Sequence, residues 1–132
     1  MQSTANKISV IIPLYNKRES IARTIASVVA QSLVPHEIIV MNDGSTDGSE
    51  EIVRELAASN PKIKLLHQPN TGVSVARNRA IEAAEGEYVA LLDGDDAWQE
   101  GYIAEICRLI ERYPDCGAYA TGFYIVDGEQ RV

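Results

Sequence analysis

The sequence is short of positive charge. It carries 12 lysine and arginine residues against 19 aspartate and glutamate residues, so the formal net charge is −7 at pH 7. A chain with this balance and no basic stripe lacks the electrostatic footprint of a nucleic-acid-binding protein. We therefore expect no nucleic-acid partner. A phosphorylated small molecule still fits, provided that a cation accompanies it.

Cysteines and long apolar runs are also scarce. The two cysteines, Cys107 and Cys116, lack the spacing of a zinc site or a redox pair, and we expect both to be reduced core residues. No stretch approaches the roughly 18 apolar residues of a membrane span. The polar N-terminus lacks the apolar stretch of a signal peptide. We expect a cytoplasmic protein with no membrane segment in this chain; peripheral attachment at the inner face of the membrane is the alternative.

Three common motifs are missing. The sequence has no G-x-S-x-G nucleophile elbow, no G-x-x-x-x-G-K-[ST] phosphate loop and no G-x-G-x-x-G fingerprint. These are the signatures of α/β-hydrolases, P-loop enzymes and dinucleotide-binding domains. The sequence therefore gives no support to those three classes.

What the chain does have is a regular alternation of strand and helix patterns. Continuous β-branched runs, typical of strands buried on both faces, occur at 7–13, 36–43, 63–68 and 87–93. Apolar residues at helical spacing follow each run. The pattern predicts an α/β fold with a mostly parallel sheet and helices on both faces, in a single domain spanning 1–132. Residues 116–128 alternate and are aromatic, which predicts a strand or hairpin near the sheet edge.

The strongest polar clusters follow the predicted strands. Because ligands of parallel α/β sheets bind at the carboxyl ends of the strands, these clusters should meet on one rim. "LLDGDDAW" places three aspartates behind the fourth strand, and hard cations such as Mg²⁺ and Mn²⁺ prefer such oxygen ligands. Asp93 and Asp95 can face one ligand, while Gly94 lets that ligand come close. The alternative is that Asp95 or Asp96 caps a helix starting near Trp98.

The weaker signals have ordinary structural explanations. "NDGSTDGS" is typical of a turn in which a serine or threonine caps the next helix. Arg77 and Arg79 follow a helix N-terminus and either meet a diphosphate or are solvated helix charges. We expect His36 and His67 to be structural and Trp98 to pack in the core.

Two long stretches resemble a known family. "ISVIIPLYNKRESIARTIASVVAQSLVPHEIIVMNDGSTDGS" and "PNTGVSVARNRAIEAAEGEYVALLDGDDAW" hold four motifs in the order and spacing of glycosyltransferase family 2. The resemblance covers about residues 7–113. It implies the Rossmann-like GT-A nucleotide-sugar-binding fold. It also implies an enzyme that transfers sugar with inversion from a nucleotide diphosphate donor, commonly a UDP-sugar.

The resemblance implies roles for individual residues near the nucleotide. Pro13, Tyr15 and Asn16 of the "P-x-Y-N" segment would line the nucleotide pocket. Asp43 would contact the base, commonly uracil. Asn42 stands where the family more often has a first aspartate.

The resemblance also assigns the helix and the acidic loop. Arg77 would lie near the donor, and Asp93 would approach the ribose or the sugar. Asp95 would coordinate the Mn²⁺ or Mg²⁺ ion that bridges the diphosphate. Asp93 and Asp96 are further candidate ligands of that cation.

The resemblance is incomplete in one respect. Family members usually continue into a part that brings the acceptor site and the general base. None of Asp115, Asp127 and Glu129 sits in a motif that matches that base. We expect a chain truncated before the acceptor-binding part, which carries the donor half of a metal-dependent transfer to a saccharide or lipid-linked acceptor. The alternative is a non-catalytic nucleotide-binding or protein-interaction module. Apolar surface left uncovered would favour self-association, so we consider a homo-oligomer.

Overall fold

The computed structural model describes residues 3–128, 130 and 131. After a short 3-10 helix, Thr4–Lys7, strands and helices alternate. In chain order they are β1 (Ile8–Leu14), α1 (Ile21–Val29), β2 (Glu37–Asp43), α2 (Ser49–Ser59), β3 (Ile63–Gln68), α3 (Val73–Ala83), β4 (Tyr88–Leu91), α4 (Tyr102–Arg112), β5 (Val126–Asp127) and β6 (Gln130–Arg131). The predicted alternation is confirmed.

Strands β1 to β4 form one parallel sheet in the order β3-β2-β1-β4. Both β1 and β2 are buried along their whole length, which is why their sequences are nearly continuous apolar runs. The chain builds the sheet in one direction from β1 to β3 and then crosses back to add β4 beside β1. All four carboxyl ends therefore share one rim, and the order of the strands reverses at β1.

The two faces of the sheet are covered differently. Val10 and Ile12 point to one face, where α1, α2 and α4 contribute to the larger core cluster. Ile11 points to the other face and packs with Ala76 and Ala80 of α3. Alanine at both helix positions leaves room for α3 to lie close to the strands. The expectation of helices on both faces is confirmed.

The predicted strand at 116–128 is mostly wrong. Residues 116–125 have no regular structure, and only Val126–Asp127 is a strand, paired antiparallel with Gln130–Arg131 in a separate two-stranded sheet. Phe123 is 85% exposed. Alternating aromatic and β-branched residues form a strand only when a neighbouring strand and a packing surface are present, and the described part of the chain supplies neither here.

The two cysteines also differ from each other. Cys107 lies in the core on α4, as expected, but Cys116 is exposed, and both are free thiols. The expectation that Cys116 is a core residue is wrong, because it follows α4 in the irregular segment. None of the helices in the described ranges combines the length and the apolar character needed to cross a bilayer.

Candidate functional site

The shared rim of the sheet carries a cavity of about 570 Å³. Loops that follow β1, β2 and β4, together with the first turns of α3, form its walls. Seven of the residues singled out in the sequence line it: Pro13, Tyr15, Asp43, Arg77, Asp93, Gly94 and Asp95. The structure therefore brings together side chains that lie as much as 82 positions apart in the sequence.

The acidic loop after β4 gathers its carboxylates at one point. Asp93, Asp95 and Asp96 each offer an oxygen, and these oxygens lie within 4.8 Å of one another. All three residues are exposed to solvent, so a hydrated cation can reach them. Partial burial and the neighbouring charges of Asp95 and Asp93 raise the pKa of Asp96. Close carboxylates that repel one another fit a hard divalent cation such as Mg²⁺ or Mn²⁺.

Two side-chain cations neutralise part of this loop. Arg77 Nη2 lies 2.6 Å from Asp93 Oδ1, and Lys17 Nζ lies 3.1 Å from Asp95 Oδ2. Both cations line the cavity as well. They are therefore placed to meet a polyanion that enters it. Arg77 lines the cavity and Arg79 does not, although the positive charge of Arg79 helps to lower the pKa of Asp43.

Thr24 of helix α1 and Ser20, the residue before the helix, hydrogen-bond to the backbone of the acidic loop. The Oγ1 atom of Thr24 donates to the carbonyl oxygens of Asp96 and Gly94 at 2.6 Å and 3.1 Å, and Ser20 Oγ donates to Gly94 at 2.8 Å. A Cβ atom on Gly94 would lie only 3.2 Å from the carbonyl oxygen of Pro13. Glycine at this position thus lets the loop lie against the end of β1.

The helix-capping alternative for this loop is wrong. Helix α4 begins at Tyr102, and its N-cap residue is Gly101, with no side-chain cap. Asp95 and Asp96 precede it by several residues. The three aspartates are therefore not explained by the start of the next helix.

Asp43 ends β2 with its carboxylate almost fully engaged. Its Oδ1 accepts from Gln68 Nε2 and from Thr71 N, both at 2.7 Å, and its Oδ2 accepts from Gly72 N at 3.0 Å. Burial alone would raise the pKa of this carboxyl. The hydrogen bonds from Gln68, Thr71 and Gly72 outweigh burial, and the pKa lies below its usual range. Asp43 is a fixed anionic acceptor.

Asn16 is placed beside the cavity rather than in it. Its backbone has φ 49°, its N–H donates to Ser45 Oγ at 3.0 Å, and its Oδ1 accepts from Thr46 N at 2.8 Å. It lines a neighbouring depression of about 480 Å³ that shares Lys17 and Asp95 with the main cavity. Asn16 therefore ties the β1 loop to the β2 loop.

The turn after β2 is capped differently from the prediction. The N-cap residue of α2 is Gly48, without a side-chain cap. Instead, Asp47 Oδ1 accepts from the backbone N–H of Ser49 at 3.0 Å and from its hydroxyl. The predicted serine or threonine cap is wrong, because Ser49 is already the first residue of α2, and its hydroxyl donates to Asp47 and accepts from Lys17 N.

Asn42 has a structural reason to differ from aspartate. Its Nδ2 donates to Glu50 Oε2 at 3.0 Å, and its Oδ1 accepts from Ser45 N at 3.1 Å. An aspartate here would face the Glu50 carboxylate with a second negative charge. The Asn42 amide can therefore donate to Glu50 where an aspartate would repel it.

The remaining polar and aromatic candidates have local partners. His36 Nε2 lies 3.2 Å from Glu85 Oε2, and His67 Nδ1 lies 3.6 Å from Glu50 Oε1. Trp98 packs against the core and stacks on Tyr102, with ring centroids 4.2 Å apart. These positions agree with the structural roles expected for them.

Three residues at the site were not predicted from the sequence: Lys17, Gln68 and Thr24. Lys17 directly follows "PLYN", so its place after β1 was a usable signal. Gln68 ends β3 on the same rim, which was an equally usable signal. Thr24 lies inside an amphipathic helix and gave no signal of its contacts with the acidic loop.

Comparison with solved structures identifies the class of fold. The chain is similar to S. aureus TarS in complex with UDP-GlcNAc, with a TM-score of 0.75 and 31% identity over 82% of this chain and 32% of that one. It is also similar to the mannosyltransferase PcManGT of Pyrobaculum calidifontis in complex with GDP-Man and Mn²⁺. That TM-score is 0.71, with 27% identity over 78% of this chain and 32% of that one. The GT-A type of α/β fold is confirmed.

Sequence comparison identifies the family. The glycosyl transferase family 2 model matches residues 9–131, and the chain belongs to this family. It is 51% identical to the uncharacterized glycosyltransferase YibD of Escherichia coli over 73% of this chain and 28% of that protein. It is 44% identical to the uncharacterized glycosyltransferase EpsJ of Bacillus subtilis over 94% of this chain and 36% of that protein. The chain thus spans about a third of the length of these relatives.

Proposed function

We propose that this chain binds a nucleotide-diphospho-sugar together with a divalent cation and is the donor-binding part of an inverting glycosyltransferase. One observation carries the proposal. A fixed anionic acceptor, Asp43, and an acidic loop flanked by Arg77 and Lys17 line the same cavity. This combination suits a ligand with a hydrogen-bonding base at one end and a diphosphate at the other.

Different residues would bind different parts of the donor. Asp43 would accept a hydrogen bond from the base, commonly uracil in this family, and Tyr15 with Pro13 would cover the nucleoside. Arg77 would exchange its contact with Asp93 for the diphosphate, because a guanidinium binds phosphate oxygens in a fork geometry. Complexes of the similar structures with UDP-GlcNAc and GDP-Man support a donor of this chemistry.

The cation would be held by Asp95, with Asp93 and Asp96 as further ligands. Their clustered oxygens fit Mn²⁺ or Mg²⁺, and the Mn²⁺ in the PcManGT complex supports a divalent metal. When bound, the ion would stabilise the negative charge of the departing nucleoside diphosphate. The carboxylates would keep the cation next to the two cationic side chains, Arg77 and Lys17, that face the same cavity.

Inverting transfer also needs a base that deprotonates the acceptor hydroxyl. Asp115 and Asp127 are exposed and do not line the cavity, and Glu129 lies outside the described residues. We therefore propose that residues 1–132 carry donor binding, with a saccharide or lipid-linked acceptor bound elsewhere. The same observation favours a second candidate, a nucleotide-binding module without turnover. A cytoplasmic location, or peripheral attachment at the inner face of the membrane, stays a prediction, as does a homo-oligomer.

Calorimetric titration of UDP in the presence of Mn²⁺, and again with EDTA, tests donor binding. We expect binding with Mn²⁺ that falls at least tenfold in EDTA and in Asp95→Ala, because the cation offsets repulsion between carboxylates and diphosphate. Asp115→Ala is the matched control, since this exposed acid lies away from the cavity. Equal binding with and without metal, or no binding at all, would contradict the proposal.

A second assay separates the two candidates. Release of UDP from a panel of UDP-sugars, with and without added saccharide acceptors, measures turnover directly. UDP release that rises when a saccharide acceptor is added identifies a transferase in its own right, because the sugar then passes to the acceptor hydroxyl, whereas release without an acceptor is hydrolysis by water. Binding without release over hours identifies the non-catalytic module.

A further inference from the structure

Gln68 has an unusual position at the end of β3. It is 6% exposed, and its Nε2 donates to Asp43 Oδ1 at 2.7 Å. Its Oε1 is buried and has no hydrogen-bond donor within reach in the part of the chain that the structure describes. Buried polar atoms are almost always paired, so an orphan acceptor beside a cavity residue marks a place where a donor belongs.

The orientation of this amide is fixed by its neighbour. If the amide were turned over, its carbonyl oxygen would face the Asp43 carboxylate, and two acceptors would repel each other. Nε2 must therefore point to Asp43, and Oε1 must stay the acceptor without a partner. The register of the sheet supports this arrangement, because Asp43 and Gln68 are paired across β2 and β3.

The oxygens of Asp43 are engaged unequally. Oδ1 accepts two hydrogen bonds, from Gln68 and Thr71, whereas Oδ2 accepts one, from Gly72. Asp43 lines the cavity even though it is only 3% exposed. Oδ2 therefore keeps acceptor capacity for a ligand. Gln68 helps to prevent the carboxylate from rotating away.

We propose that Gln68 is a positioning residue that sets the nucleobase preference of the site through Asp43. The carboxylate held by Gln68 offers only acceptors, so the preferred base presents a ring N–H. Uracil and guanine have that donor, whereas cytosine and adenine present an unprotonated ring nitrogen at the corresponding position. Gln68 does not line the cavity itself, so it acts through Asp43 and not by direct contact with the base. This inference rests on the proposed function and assigns to it the chemistry of the base.

The test compares ligands that differ only in the base. UDP, CDP and inorganic pyrophosphate are titrated with Mn²⁺ into the wild-type chain and into Gln68→Met, which keeps the side-chain length and removes the amide. We expect the wild type to prefer UDP over CDP, and Gln68→Met to reduce that ratio about tenfold, since unpaired polar groups carry most of such discrimination. Pyrophosphate binding should change less than about twofold, because it does not involve the base.

Two further variants distinguish a change in base preference from a loss of folding. Gln68→Glu places a second carboxylate beside Asp43. It should weaken the binding of UDP more than Gln68→Met does. Leu66→Met changes a residue on the same face of β3, packed against the α3 side of the sheet, and should leave the UDP to CDP ratio unchanged. Thermal unfolding of each variant checks that it is folded.

The outcomes separate this inference from the proposed function. If both Gln68 variants bound UDP, CDP and pyrophosphate more weakly by the same factor, Gln68 would have only a structural role, and the inference would be overturned. Equal affinity of the wild type for UDP and CDP would also overturn it, while donor binding itself would stand. A wild type that binds no nucleotide would overturn the proposed function and this inference with it.

Discussion

Arg77 on α3 and Asp93 after β4 form an ion pair of 2.6 Å across the mouth of the cavity. The pair joins the side chain that we propose binds the diphosphate to a carboxylate of the acidic loop. Both side chains are partly exposed, so the pair contributes no more than about 1 kcal/mol to stability. Its importance therefore lies in how the site responds to ligands.

Substitution of Arg77 by methionine should change two affinities in opposite directions. UDP with Mn²⁺ should bind at least tenfold more weakly, because a charge-assisted contact to phosphate is lost. Mn²⁺ alone should bind up to about fivefold more tightly, since the carboxylates lose a neutralising charge worth about 1 kcal/mol at 4 Å in water. Titrations of the metal and of UDP, done separately, measure both effects.

Arg112→Met is the control, because this arginine lies at the end of α4 over the ring of Tyr113. It should leave both affinities unchanged. If Arg77→Met weakened metal and UDP together, the pair would be a structural support for the loop and not a counter-ion exchanged for phosphate.

Thr24→Val should loosen the acidic loop while keeping the shape of the side chain. The variant removes the hydroxyl that donates to the carbonyl oxygens of Gly94 and Asp96. We expect a loss of about 1–3 kcal/mol in unfolding free energy, because the partly buried carbonyl oxygen of Asp96 loses its donor, while that of Gly94 keeps the Ser20 hydroxyl. Metal-dependent UDP binding should weaken as well, and pyrophosphate binding should weaken by the same factor. Unchanged affinity in Thr24→Val would mean that the remaining contacts of the loop, from Ser20, Lys17 and Arg77, are enough to hold it in place.

The sequence predicted the sheet well because β1 and β2 are buried on both faces. Such strands must be continuous apolar runs, and little else in the chain has that pattern. The start of α4 could not be predicted in the same way. The hydroxyl oxygen of Ser27 on α1 accepts from Trp98 N, and Gln31, which follows α1, donates from Nε2 to Gln99 O, so these side chains bind the backbone of the segment just before α4. Those contacts join residues about seventy positions apart, beyond the reach of local periodicity.

The site residues that lie at the carboxyl ends of strands could be predicted from the sequence. The aspartates after β2 and β4 were found because a parallel sheet brings its carboxyl ends together. Lys17 and Gln68 carried no motif of their own, and only the register of the strands and the path of the loops show which carboxylate each one contacts. Asn16 was assigned to the same cavity, but its left-handed backbone turns it toward the β2 loop.

At the opposite end of the sheet, Glu37 anchors a buried polar network. Its carboxylate accepts from Ser9 Oγ at 2.6 Å, from Lys64 Nζ at 2.6 Å and from Glu85 N at 2.8 Å, and the residue is 1% exposed. Glu37→Gln should cost about 1–3 kcal/mol in urea unfolding, because Lys64 and a backbone donor lose a charged acceptor. The control is Glu87→Gln, whose exposed pair with Lys7 predicts a change within about 0.5 kcal/mol.

The pH dependence of stability should follow from the same carboxylate. Burial acts to raise the pKa of Glu37, but the hydrogen bonds from Glu85, Lys64 and Ser9 lower it below its ordinary value of 4.5. A group whose pKa is lower in the folded state stabilises the fold above its unfolded pKa and loses that effect as the pH falls. The gap in unfolding free energy between wild type and Glu37→Gln should therefore be constant near neutral pH and shrink below pH 4.5. A gap that widened on acidification would mean that Glu37 is protonated in the native state.

Gly86, just before β4, is required by the close approach of the backbone to β1. A Cβ atom there would lie 2.7 Å from the carbonyl oxygen of Lys7 and from the hydroxyl of Ser9, and 2.8 Å from the backbone nitrogen of Ser9. Gly86→Ala should therefore destabilise the fold by about 1–3 kcal/mol, as overpacking does in a core. Gly117→Ala is the matched control, since a Cβ atom there meets nothing within 4 Å and the residue caps no helix. Urea unfolding measures both variants. If Gly86→Ala lost no more stability than the control, the short distances at Gly86 would relax at little cost.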